Sequence, residues 1–100
     1  MHARLMIAQV SPENIDEFIQ LWHDKILLTY QEQMGWKNAR LLVDRQTGKA
    51  ILISLWETEA EGQASGTGSA QGQKVHAIIG HLLTGRPVVE HYEVAGDVYR

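Results

Sequence analysis

The chain has no cysteine. That excludes disulfides, thiolate metal sites and cysteine nucleophiles together, and it fits a reducing, cytoplasmic setting. Proline is scarce, with two residues, and phenylalanine occurs once. Nine Lys and Arg are scattered without a run against 12 Asp and Glu, for a net charge of −3. Neutralising several phosphates needs clustered cations, so nucleic acid is not an expected partner. No apolar stretch approaches the roughly 18–20 residues of a membrane span, and the first apolar run is too short for a signal peptide. What remains is 100 residues, 44% hydrophobic and 21% charged, read as one globular domain over 1–100.

The most informative stretch runs from Lys49 to Thr58. Between Ala50 and Trp56 only Ser54 is polar. Ile51, Ile53 and Leu55 line one face of a strand, while Ala50, Leu52 and Trp56 line most of the other. A short strand apolar on both faces belongs at the centre of a sheet covered on both sides.

The rest of the chain places that strand. Arg4 to Val10 reads as a first strand, with Leu5 and Ile7 on one side and Met6, Ala8 and Val10 on the other. Ser11-Pro12 is a helix start, with Ser as cap and Pro where its missing N–H costs nothing. Ile15, Phe18, Ile19, Trp22, Ile26 and Tyr30 recur at spacings of three and four, which predicts one helix to about Gln31–Met34, ended by Gly35. Trp36 to Arg45 is a second strand, and Gln46-Thr47-Gly48 turns it into the central strand as an antiparallel hairpin. Thr58 and Glu61 form a capping box. The Gly-rich segment 62–73 breaks the following helix around Gly66–Gly68, and a second piece runs from Ser69 to Leu83. Gly66-Thr67-Gly68 lacks the spacing of a phosphate loop and reads as a loop at the place of a lid. Val88 to Val94 is a fourth strand, and Ala95 to Arg100 a tail with the character of an edge-strand extension.

The order β-α-β-β-α-β predicts an α+β, ferredoxin-like four-stranded antiparallel sheet with both helices on one face. The other face is then a large apolar patch. A second copy of the chain, sheet against sheet, is the economical cover, which predicts a homodimer.

The βαββαβ layout, Gly35-Trp36 leading into Ala39–Asp44, and above all Leu55-Trp56-Glu57-Thr58 opening the second helix resemble the antibiotic-biosynthesis-monooxygenase-like proteins of the dimeric α+β barrel superfamily. The resemblance covers roughly residues 4 to 95. It implies a cavity in each subunit between sheet and helices, and an activity such as cofactor-independent monooxygenation of a small hydrophobic or aromatic molecule. The alternative is a non-catalytic homodimeric ligand-binding or stress-related module. A haem-handling protein is a third reading. The haem-degrading branch uses an Asn on strand one and a Trp and a His on helix two, and only His76 lies near a matching position.

The candidate site residues follow. His76 flanks the apolar face of the second helix and is the best acid/base, since imidazole titrates near neutral pH; the other reading is a boundary histidine bonded to water or backbone. Trp22 would wall the cavity for a flat ligand. Ser54, the one polar residue of the central strand, either bonds to neighbouring backbone or makes room for a ligand. His91 and Tyr92 alternate on the fourth strand, so one faces the helices and the other the partner; Tyr92 would hydrogen-bond a quinoid ligand or simply pack. His76 and His81 are five residues apart, about 140° around a helix, so they share no face. No metal and no cofactor are expected.

Overall fold

The computed structural model describes residues 1–66 and 68–100. The elements are β1 (His2–Gln9), α1 (Ile15–Leu21), α2 (Leu27–Gln31), β2 (Trp36–Val43), β3 (Lys49–Trp56), α3 (Glu59–Ala64), α4 (Ala70–Ile79) and β4 (Val88–Glu93). They make one antiparallel sheet in the order β2-β3-β1-β4, the ferredoxin-like arrangement that the element order predicts.

β3 is central, and its two faces have different fates. Ala50, Leu52, Ser54 and Trp56 are buried beneath the helices, while Ile51, Ile53 and Leu55 alternate with them and stay half-exposed. The inner set joins Ile15, Phe18, Trp22, Ile26, Val75 and Ile79 in the core. Burying one such side chain contributes on the order of 1.5–3 kcal/mol, so this face holds the fold together. Trp56 is fully buried, and its indole N–H is satisfied by the Ser54 hydroxyl at 2.9 Å. Ser54 in turn donates to the Arg4 carbonyl at 3.4 Å. Of the two readings of Ser54, the backbone bond is the one found.

The outer face carries Leu5 and Ile7 on β1 beside Ile53 and Ile51. Leu42, Val88 and Tyr92 flank them, 45–54% exposed. The final residues do not extend the sheet as an edge strand. Val94 donates its N–H to the Met1 carbonyl at 2.9 Å, and beyond it the backbone makes no strand. An open groove of about 420 Å³ lies between this tail and Asn38, Arg40, Ile53 and Leu55.

The first helical segment also departs from the expected single helix. A 3-10 turn at Pro12–Asn14 leads into α1, and a π turn at Trp22–Ile26 separates α1 from α2. Wider turns of this kind insert a residue into a helix and are frequent near functional sites. Spacings of three and four do not distinguish an α from a π turn, so the pattern carries no sign of it. α4 likewise ends at Ile79, and a 3-10 turn, Gly80–Leu82, completes the piece expected to reach Leu83. β1 begins two residues earlier than expected, while β2, β3 and β4 each stop one or two residues sooner. The break in the Gly-rich segment falls between α3 and α4; Thr67, the middle of Gly66-Thr67-Gly68, lies outside the described residues.

Ser11 stands at the cap position before Pro12 without a side-chain cap bond, whereas Thr58 caps as expected. Thr58 accepts from the Glu61 N–H at 3.2 Å and donates to its carboxylate at 3.0 Å. The β2–β3 turn is closed by Asp44, whose carboxylate accepts from the N–H groups of Gln46 and Thr47. These backbone donors hold its pKa below the ordinary value. Gly48 has φ +81°, and a Cβ there would collide with the Val10 carbonyl oxygen. Gly48→Ala is therefore expected to cost at least about 1–3 kcal/mol from backbone strain alone. Urea unfolding checks this; an unchanged midpoint would contradict the described turn.

Candidate active site

Strand parity fixes what faces the helices. On β1 the inward set is His2, Arg4, Met6 and Ala8, each paired across to an inward residue of β3. Arg4 is thus carried under the helices with only 8% exposure. Its guanidinium lies 5.1 Å from the Trp56 ring centroid, a cation–π distance. It donates to the Gly62 carbonyl at 3.1 Å and to Gln71 Oε1 at 3.2 Å.

Gln71 is 1% exposed and is itself fixed. Its amide donates to Thr29 Oγ1 at 3.0 Å, and Thr29 donates to the Ile26 carbonyl at 2.7 Å, at the end of the π turn. A chain of bonds thus runs from β1 through α4 to the first helical segment. Tyr30, one residue on, is buried and stacks on Trp36 with ring centroids 5.8 Å apart. Burial pushes the Tyr30 phenol pKa up, and its contacts with Arg4 and Ser54 partly oppose this. Burial likewise pulls the Arg4 pKa down against the contact with Tyr30.

These groups surround a cavity of about 60 Å³ between sheet and helices. Arg4, Tyr30, Ser65, Gln71 and His76 supply its polar groups; Met6, Leu52, Val75, Pro87 and Val89 supply most of its apolar wall. It has room for about two waters. Ser65 Oγ is held by Gln33 Oε1 at 3.1 Å. The arrangement offers one cation, one neutral phenol and one imidazole to a small group.

Of the five residues expected from the sequence, His76 alone lines this cavity. It is exposed at the rim, and its ring lies back over Gly80, where a Cβ would meet it at 3.2 Å. Trp22 is buried in the core and does not line the cavity; its indole N–H has no partner among the described residues. Ser54 sits behind the cavity, bonded to Trp56 and the Arg4 backbone. His91 faces the helical side and Tyr92 the outer side, the opposition that alternation requires. Arg4, Tyr30 and Gln71 were missed. Arg4 had a signal, a charge in register with Met6 and Ala8 on an inward face. Gln71 had none.

His91 belongs to a second polar cluster at the sheet end. His2 Nε2 and His91 Nδ1 are 2.8 Å apart, and the rings stack with centroids at 5.0 Å. One nitrogen must donate and the other accept, so the bond tolerates one charge but not two. Burial first, then repulsion from His2 and Arg4, lowers the His91 pKa. Among the described residues no group of three or more His, Asp or Glu could hold a metal.

The sign of the pH effect follows. A histidine whose folded pKa lies below its unfolded value stabilises the fold fully above about pH 6.5 and loses that contribution as pH falls through the folded pKa. The thermal midpoint should therefore drop more between pH 7.5 and 5.5 for the wild type than for His91→Gln. Parallel declines would contradict the pairing.

No family model matches the chain. It is 33% identical over 95 residues to the uncharacterised protein Rv2557 of Mycobacterium tuberculosis, covering 95% of this chain and 41% of that protein. The chain thus spans about two fifths of the length of the curated relatives it matches. Among solved structures it is similar to a monooxygenase from the gene ActVA-Orf6 of Streptomyces coelicolor in complex with nanaomycin D. The TM-score is 0.80 at 14% identity, over 99% of this chain and 91% of that one. A putative antibiotic biosynthesis monooxygenase from Bordetella bronchiseptica gives 0.79 at 17% identity, over 92% and 94%. No helix among the described residues is long and apolar enough to cross a membrane. The chain shares its α+β fold with solved structures described as antibiotic biosynthesis monooxygenases.

Proposed function

We propose that the chain works in the cytoplasm as a homodimer whose subunits bind a small hydrophobic or aromatic molecule between sheet and helices and oxidise it with O2 without a cofactor. The observation that carries this reading is the cavity itself: one opening in which an apolar wall meets convergent polar groups, with His76 at its mouth. Convergence of that kind is the usual mark of a small-molecule site. The Streptomyces coelicolor neighbour was solved with nanaomycin D, which supports an aromatic ligand.

In this reading a phenol enters with its ring against Val75, Pro87 and Val89. His76, the general base of this reading, takes the phenolic proton. The electron-rich phenolate then gives its electrons to O2. One oxygen atom becomes the new quinone carbonyl, and the other leaves as water with the two hydrogens lost from ring and hydroxyl. The substrate loses four electrons and O2 gains four, so no further reductant is required.

The homodimer part of the proposal rests on the outer face. Ile51, Ile53 and Leu55 run down the middle of the sheet, and among the described residues no helix or strand covers them. A contiguous apolar surface of this kind marks an association face, and the groove beside the tail leaves space for a partner's side chains. The small cavity favours a second reading, a ligand-binding module without turnover.

Two measurements test the proposal. Light scattering should give about twice 11.3 kDa, and Ile53→Lys should give a folded monomer, because Ile53 points away from the core. A wild-type monomer at micromolar concentration would overturn the dimer. Oxygen uptake with small naphthols should require the protein, and His76→Gln should slow it on the order of 10²-fold. Binding without oxygen uptake would leave the module reading.

A further inference from the structure

We propose that Arg4 is an anion subsite, so that the molecule taken by the cavity brings negatively charged oxygens, as an aromatic carboxylate or an ionised hydroxyquinone does. This rests on reading the cavity as a ligand site.

Lys37, Arg45 and Lys74 each pair with a carboxylate at the surface, where pairing is worth little. Arg4 is the cation taken furthest from water, and among the described residues it pairs with no carboxylate. Its partners are a carbonyl, an amide oxygen, the Tyr30 phenol and the face of an indole, all neutral. Tyr30 beside it is a phenol that burial keeps protonated. Burying an ion without a counter-charge is costly.

Geometry says where the missing charge would enter. Arg4 lines the cavity, and no Asp or Glu does. A guanidinium has five N–H donors, and two nitrogens are engaged, one by Gly62 and one by Gln71. Donors therefore remain for a planar anion, which guanidinium binds bidentately. At about 60 Å³ the cavity accepts a head group rather than a ring system. The aromatic body would lie outward, against Val75, Pro87 and Val89, with His76 beside it.

The test is calorimetric binding to the whole chain of two matched pairs: benzoate against benzamide, and ionised 2-hydroxy-1,4-naphthoquinone against 1,4-naphthoquinone. Within a pair the shape is nearly constant and the charge is not. The anion should bind the wild type and Arg4→Lys on the order of tenfold or more tighter than its neutral match. Arg4→Gln, which removes the charge and keeps a hydrogen-bonding side chain, should lose that preference. Equal binding of both members, unmoved by Arg4→Gln, would overturn the anion subsite and leave the cavity reading standing. Binding of no probe would overturn the cavity reading and the subsite with it. If Arg4→Gln does not fold, the anion-to-neutral ratio on the wild type decides.

Discussion

The structure depends on one constraint: β3 is apolar on both faces, and the chain has helices enough for only one. Ala50, Leu52 and Trp56 vanish into the core, while Ile51, Ile53 and Leu55 stay half-exposed on a face that no helix among the described residues covers. Every other element is arranged around that asymmetry. The helices close the inner face, the hairpin through Gly48 sets the register of β2 on β3, and β1 lies on the other side of β3, where its inward residues become the floor of the cavity. The proposed homodimer would cover that outer face.

The inner face is not uniformly apolar, and its exceptions make the site. Arg4, Ser54 and His2 interrupt the inward sets of β1 and β3. Each solves the problem of a buried polar group differently. Ser54 bridges Trp56 and the Arg4 backbone. His2 finds another histidine. Arg4 finds neutral acceptors for some of its donors, and its charge is not met. A fully compensated group reads as structure; a charge left uncompensated beside a cavity reads as chemistry waiting for a ligand.

Much of the fold was legible. The continuous apolar run at Ala50–Trp56, the Ser11-Pro12 start, the Thr58 capping box and the Gly48 turn are local signals with local causes, and each stands where the sequence put it. The site was less legible because its members are distant in sequence. Arg4 and Gln71 meet only when β1 is laid beneath α4, and His2 and His91 only when β4 pairs with β1. Trp22 shows the limit from the other side. Its helical spacing placed it correctly on the buried face, yet whether a buried indole packs in the core or walls a cavity is decided by its neighbours on other elements.

The central claim is that the space under α4 is where a ligand meets Arg4. A crystal structure of the whole chain grown with ionised 2-hydroxy-1,4-naphthoquinone tests it most directly. The account predicts the charged oxygen within hydrogen-bonding distance of the Arg4 guanidinium, and the ring system emerging past His76. A ligand seated elsewhere, with Arg4 still bonded only to Gly62 and Gln71, would contradict it.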